Sequence, residues 1–238
     1  MFLTLSQAVN ATYSKCHVKR RQLDEICSKK ALEYITLKLQ KWEKTAYETA
    51  TSYAKPEECI ILDIETAGLR KTDAIWAIGI AYHQKGMKIE QLVADNPLEE
   101  RLILDGFAEW CSKRPTLITF NGSFDISRLK YRMNSHAIKM PEIKNIEIYT
   151  CQWSRIAKEI GMRRATLQTF ENLLFPEAKR ENDLPGKEIP KAWKRYTQLK
   201  NPSIREEEIL KLVRAVEHNA YDLVTQTALY LTILEKGR

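Results

Sequence analysis

The sequence predicts an α/β fold, a mixed sheet of about five strands flanked by helices and preceded by a helical arm. The order of patterns after Pro56 is the first reason. CIILDIET, AIWAIGIAYH and MKIEQLVA read as strands, LEERLILDGFAEWCSK as a helix, TLITF as a strand, NGSFDISRLKYRM as the start of a helix and IEIYT as a short strand. The second reason is that the pattern from there onward is almost only helical, broken by the Pro- and Gly-containing loop ENDLPGKEIP. The third lies upstream. Residues 14–54 carry Leu23, Ile26, Leu32, Ile35, Leu37, Leu39 and Trp42 in rough helical periodicity, with no Gly or Pro until Pro56. Residues 1–55 are therefore expected to form a basic helical arm, and residues 56–238 the α/β domain.

Composition narrows the function classes. The chain has 238 residues, 44% hydrophobic and 29% charged, enough to bury a full core. Its opening has no basic stretch followed by a long apolar run, and no segment approaches membrane-spanning length, so the expectation is a cytoplasmic protein with no membrane partner. Five cysteines, Cys16, Cys27, Cys59, Cys111 and Cys151, are widely spaced and never form C-x-x-C. That argues for free thiols rather than a disulfide framework or zinc knuckle. The net charge is +7, and residues 1–55 hold ten Lys or Arg against five Asp or Glu, a local excess of 10 − 5 = +5. This asymmetry points to a polyanionic partner, although a solvated helical surface accounts for it equally well.

The chemistry concentrates in a few acids. Asp63 and Glu65 stand two apart on the strand CIILDIET, so both carboxylates point to one face, and the flanking Ile60, Ile61, Leu62 and Ile64 mark that strand as buried. Their repulsion needs a shared proton, a basic partner or bound cations. Asp125 follows TLITF where a helix begins, and Asp222 lies on the C-terminal helix, so all four acids can meet at one end of the sheet. No Lys or Arg stands within their own motifs. Hard oxygen ligands of this kind favour Mg²⁺ or Mn²⁺. His218 precedes Asp222 by four residues and shares its helix face, as a general base beside such a site requires. Asp125 also suits a helix N-cap. His17, His83 and His136 have no partner motif, and Trp42, Trp110, Trp153 and Trp193 sit among aliphatics as packing residues.

DIETAGL, FNGSFD and HNAYD resemble the three motifs of the DEDD (DnaQ-like) 3′→5′ exonucleases of ribonuclease H-like fold. LPGKEIPKAWKRY and the helix containing HNAYD are more particularly similar to YprB-type ribonuclease H-like domains. The resemblance covers roughly residues 58–236. It implies that Asp63, Glu65, Asp125 and Asp222 hold two divalent cations, and that His218 takes the proton from the attacking water. Thr66, Ala67, Gly68 and Leu69 would contact the terminal nucleotide, and Asn121 matches the asparagine before the second acid. In the histidine-type enzymes the histidine usually precedes the last aspartate by five positions and in the tyrosine-type by four. YprB-type domains allow a histidine at four, which leaves His218 and Tyr221 as alternatives, with His218 favoured because Tyr221 faces about 100° away from Asp222. Many relatives carry a small polar residue at Ala67. The implied function is metal-dependent 3′→5′ hydrolysis of single-stranded DNA or RNA. The alternatives are an endonuclease of the same fold acting on RNA or a hybrid, and a nucleic-acid-binding module without turnover. The arm would bind flanking phosphates, or dock onto the domain or onto a second copy of the chain.

Overall fold

The computed structural model describes residues 58–83, 87–147, 166–174, 180, 183–198 and 202–235. The arm of residues 1–55, with Cys16, Cys27, His17 and Trp42, lies outside them, as do Cys151 and Trp153. Five strands form one sheet in the order β3-β2-β1-β4-β5: β1 (Cys59–Thr66), β2 (Ile75–His83), β3 (Met87–Val93), β4 (Thr116–Thr119) and β5 (Lys144–Glu147). β1 pairs antiparallel with β2 and parallel with β4; β2–β3 is antiparallel and β4–β5 parallel. The expected mixed five-stranded sheet is thus present. The last strand begins two residues before IEIYT, because pairing of Lys144 with Thr116 sets its start.

β1 occupies the middle of the sheet. Cys59 to Leu62 and Ile64 are buried on both faces, which explains why this strand is almost continuously apolar apart from its two acids. Helices cover both sides. α1 (Glu100–Lys113) lies over the face where Leu92 packs on Gly106. Its entry is fixed by Asn96, which caps a short 3-10 turn (Pro97–Glu99) by accepting from the Leu98 N–H at 2.9 Å. α2 (Gly122–Ser135) follows β4 directly. α3 (Leu167–Leu174) and α4 (Ile189–Gln198) precede the long α5 (Pro202–Glu235), which begins with proline at its first position.

Trp193 of α4 is buried and stacks on Trp76 of β2, with ring centroids 5.1 Å apart, so it is core as expected. Trp110, half-buried, packs against that core as well and donates its ring N–H to Glu90 at 3.0 Å. Cys59 and Cys111 are buried thiols outside any disulfide, and Cys59 Sγ lies 3.6 Å from the Tyr230 hydroxyl. Among the described residues no helix is long and apolar enough to cross a membrane.

The sheet's parallel half orients the site. β1 and β4 run together, so their C-terminal ends lie side by side, and α2 starts just beyond them. Such an edge is the usual place for ligands in an open sheet with parallel strands.

Candidate active site

Asp63 and Glu65 occupy the C-terminal half of β1, and the strand's pairing with β2 slips by one residue just after Glu65. That irregularity turns the chain into the loop that follows the acids. Asp125 sits in the first turn of α2 and is 8% exposed; the cap position belongs to Asn121, so Asp125 is inside the helix rather than its N-cap. Asp222 projects from α5 one turn after His218, whose Nε2 lies 3.4 Å from Asp222 Oδ2. The shared helix face expected from the four-residue spacing is therefore realised. The Tyr221 ring turns toward Arg180, whose Cζ is 5.3 Å from its centroid.

The four acids feel one another. Burial is the largest cause that holds the Asp63 carboxyl well above its ordinary range, followed by Asp222, Glu65 and Asp125, against a lowering hydrogen bond from Asn219. Burial likewise pushes Glu65 up to about 8; Asp222 and Asp125 add to it, and His218 and Arg180 oppose it. Two buried carboxyls, Asp63 and Glu65, thus resist ionisation beside two further acids, and the site is electrostatically incomplete without positive charge.

Part of that charge comes from an arginine outside the acids' own motifs, Arg180. Arg180 donates Nη2 to Asp222 Oδ1 at 2.5 Å and Nε to both Glu171 carboxylate oxygens at 2.7 and 2.8 Å. Its side chain is 4% exposed. Burial works against its charge, and Glu171 and Asp222 outweigh it. Glu171, on α3, also accepts from Thr225 at 3.2 Å.

Asp63 is held from α5. Asn219 donates Nδ2 to its Oδ2 at 2.7 Å, and Gln226 Nε2 lies 3.4 Å from its Oδ1. These two donors stand seven residues apart, on one helix face. Asn219 in turn accepts from Gln91 of β3 at 2.6 Å. His218 has its own neighbours on the ring's other side: Nδ1 is 2.8 Å from Asp183 Oδ1 and 3.0 Å from Arg180 Nη1. Burial alone would lower the imidazole's affinity for a proton, but Asp183, Asp222 and Glu65 raise it overall.

The loop assigned to nucleotide contacts is fixed internally and open at its tip. Thr66 is buried and donates to the Gly68 carbonyl at 2.6 Å, and the Ala67 N–H reaches the Ala74 carbonyl at 2.8 Å. Arg128 donates to the Leu69 carbonyl and to the Phe124 carbonyl, while Leu69 is 79% exposed. Asn121 accepts from Ser123 at 3.0 Å. On the outer side of the loop, His136 finds a partner that no motif announced. Glu100 lies 3.0 Å from its Nε2 and accepts from Arg132 Nε and the Ile75 N–H, both at 2.8 Å.

Arg180, Asp183, Glu171, Asn219 and Gln91 are the residues that sequence reasoning missed. Asn219 was in plain view within HNAYD, three positions before Asp222. Arg180 and Asp183 sit in irregular chain, where no periodicity gives a side chain a direction.

As to fit for cations, the donor chemistry suits a hard divalent ion: four carboxylates, with the Gln226 amide oxygen buried nearby and unpartnered among the described residues. Among the described residues no three such side chains close on one point as a ready-made cage.

Comparison with known proteins accords with the fold. A search of curated proteins finds no match. Among solved structures, the family B DNA polymerase from the hyperthermophilic archaeon Pyrobaculum calidifontis matches with a TM-score of 0.50 and 17% identity, over 70% of this chain. The match spans only 23% of that polymerase, and the likeness is one of fold. The family RNase_H_2, described as RNase_H superfamily, matches residues 60–234, which include all five strands apart from Cys59, and every acid of the cluster. The chain belongs to the RNase_H superfamily.

Proposed function

We propose that this protein is a metal-dependent 3′→5′ exonuclease that hydrolyses phosphodiester bonds of single-stranded nucleic acid and releases nucleoside 5′-monophosphates. The observation that carries this reading is that Asp125 and Asp222 lie near enough to Asp63 and Glu65 to push both of those carboxyls up, with His218 Nε2 3.4 Å from Asp222, in a chain of this superfamily.

Asp63, Glu65, Asp125 and Asp222 would hold two divalent cations, Mg²⁺ or Mn²⁺, which would supply positive charge to stabilise the transition state of phosphodiester hydrolysis. His218 Nε2 accepts a proton from water as its oxygen bonds to phosphorus. The P–O3′ bond then breaks, and the departing 3′ oxygen takes a proton from solvent. Thr66 to Leu69 and Asn121 receive the terminal nucleotide. The exposed Leu69 side chain offers an apolar surface to a base, while Arg128 steadies the backbone beneath it.

The test uses single-stranded DNA and RNA labelled at the 5′ or the 3′ end, with Mg²⁺, Mn²⁺ or EDTA. Stepwise shortening from the 3′ end that stops in EDTA supports the reading. Cuts within the strand would make the protein an endonuclease of the same fold, and binding without any cleavage would make it a recognition module.

A further inference from the structure

We propose that Asp183 is a positioning residue that fixes the tautomer of His218, holding the proton on Nδ1 so that the Nε2 lone pair faces the reacting water. This rests on the nuclease reading above and adds a residue to it.

The geometry poses a choice at one atom. His218 Nδ1 faces a carboxylate oxygen of Asp183 at 2.8 Å and a guanidinium nitrogen of Arg180 at 3.0 Å. A neutral imidazole carries one N–H and one lone pair, so Nδ1 either donates to Asp183 or accepts from Arg180. A carboxylate has no proton to give, and two lone pairs held at 2.8 Å repel, so the contact with Asp183 requires hydrogen on Nδ1. Arg180 has other acceptors: Glu171 takes its Nε, and Asp222 and Glu171 share its Nη2, while its Nη1 lies 3.8 Å from the second Asp183 oxygen. Asp183 therefore has the stronger claim on the ring. With hydrogen on Nδ1, the lone pair of Nε2 points to the Asp222 side of the ring, 3.4 Å from Asp222 Oδ2. The opposite tautomer would give Nε2 a hydrogen and leave it unable to take one.

Asp183 and His218 are both well enclosed, their side chains 19% and 17% exposed, so the pair is shielded from competing water. They come from different elements: His218 lies on α5, and Asp183 lies in the irregular chain before α4. Asp183 touches no atom that reacts. Its role is to orient the ring, and to stabilise the imidazolium once the proton from water arrives at Nε2.

The test begins with the ring itself. In uniformly ¹⁵N-labelled full-length protein, the long-range ¹H–¹⁵N spectrum of the imidazoles distinguishes the two neutral tautomers, with His218 assigned by its loss in His218→Ala. At a pH where the ring is neutral, the wild type is expected to have the Nδ1–H pattern, and Asp183→Asn, whose amide can donate to Nδ1, to shift toward Nε2–H. In nuclease assays Asp183→Asn is expected to lower kcat at least roughly tenfold, and by no more than His218→Ala does, with KM for oligonucleotide unchanged. The double variant should be no slower than His218→Ala alone. An Nε2–H pattern in the wild type overturns the proposal, as does Asp183→Asn with wild-type tautomer and rate. If Asp183→Asn melts early, the wild-type spectrum still decides. A wild type inert on every nucleic acid overturns the nuclease reading instead, and an Nδ1–H pattern that is lost in Asp183→Asn would still establish that Asp183 sets the ring.

Discussion

Asn219 bridges Asp63 and Gln91 across the sheet. Asp63, Gly79 and Gln91 are directly paired on three adjacent strands, and Asn219, which is fully buried, lies above Gly79 with a hydrogen bond to each outer side chain. The two bonds fix the amide's orientation, since Gln91 supplies a donor to Oδ1 and Asp63 an acceptor for Nδ2. Only a residue without Cβ leaves room for it: a Cβ at Gly79 would stand 2.0 Å from Asn219 Oδ1. Gly79→Ala should therefore cost about 1–3 kcal/mol of stability and lower nuclease turnover by releasing Asp63. Gly186→Ala, where an added carbon meets nothing within 4 Å, is the control. Urea denaturation and turnover of the two variants, measured together, check this.

Asp63→Asn and Asp222→Asn should both abolish cleavage but move the melting temperature in opposite directions in EDTA. Asp63 is crowded by like charges, so its neutralisation relieves repulsion, and the asparagine keeps an oxygen for Asn219. Asp222 holds the buried Arg180 guanidinium, and its loss leaves that charge to Glu171 and Asp183 alone. A drop of roughly 1–3 kcal/mol is expected there. A rise in both variants would show that Arg180 is not tied to Asp222 in solution.

The pH dependence without divalent ions follows from Glu65. Its folded carboxyl is pushed up to about 8 from an ordinary value of 4.5, so between those values the folded state holds a proton that the unfolded chain has released. Stability is then greatest below the unfolded value and falls as pH rises toward 8. Thermal melts in EDTA across this window should decline with pH. Glu65→Gln should flatten the decline, and Mg²⁺ or Mn²⁺ should reverse it if the acids hold cations. A flat wild-type profile in EDTA would contradict the shift.

The local relationships were legible in the sequence because chain geometry fixes them. Asp63 and Glu65 share a strand face, His218 and Asp222 share a helix face, and Asp125 follows a strand into a helix. What brings Arg180 and Asp183 to His218 is tertiary packing of irregular chain, which leaves no periodic trace. Nothing in its own segment marks Gln91, a polar residue of the edge strand β3, for a role at the site. Its partner Asn219 is reachable only because Gly79 stands between Gln91 and Asp63 in the sheet, a register no single segment encodes. β5 illustrates the same limit, since Lys144 and Asn145 have little strand preference and are extended because β4 lies alongside.

The arm carries the remaining prediction. Residues 1–55 hold the +5 excess, with Lys19, Arg20 and Arg21 in succession and Lys29, Lys30, Lys38, Lys41 and Lys44 following, alongside an apolar series from Leu23 to Trp42. If the basic side chains neutralise phosphates beside the active site, deletion of the arm should weaken oligonucleotide binding. It should also flatten the log–log salt dependence by about 0.7 for each lost single-strand contact. If the apolar series instead joins two copies of the chain, deletion should change the mass in solution and leave the salt slope per site intact. Both roles are compatible where the series repeats with helical period, because charged and apolar side chains would then fall on opposite faces, and we expect both effects from one truncation. Affinity against salt and light-scattering mass, measured on the same truncated protein, separate the contributions. A truncation that alters neither would show that the arm serves neither nucleic acid nor assembly.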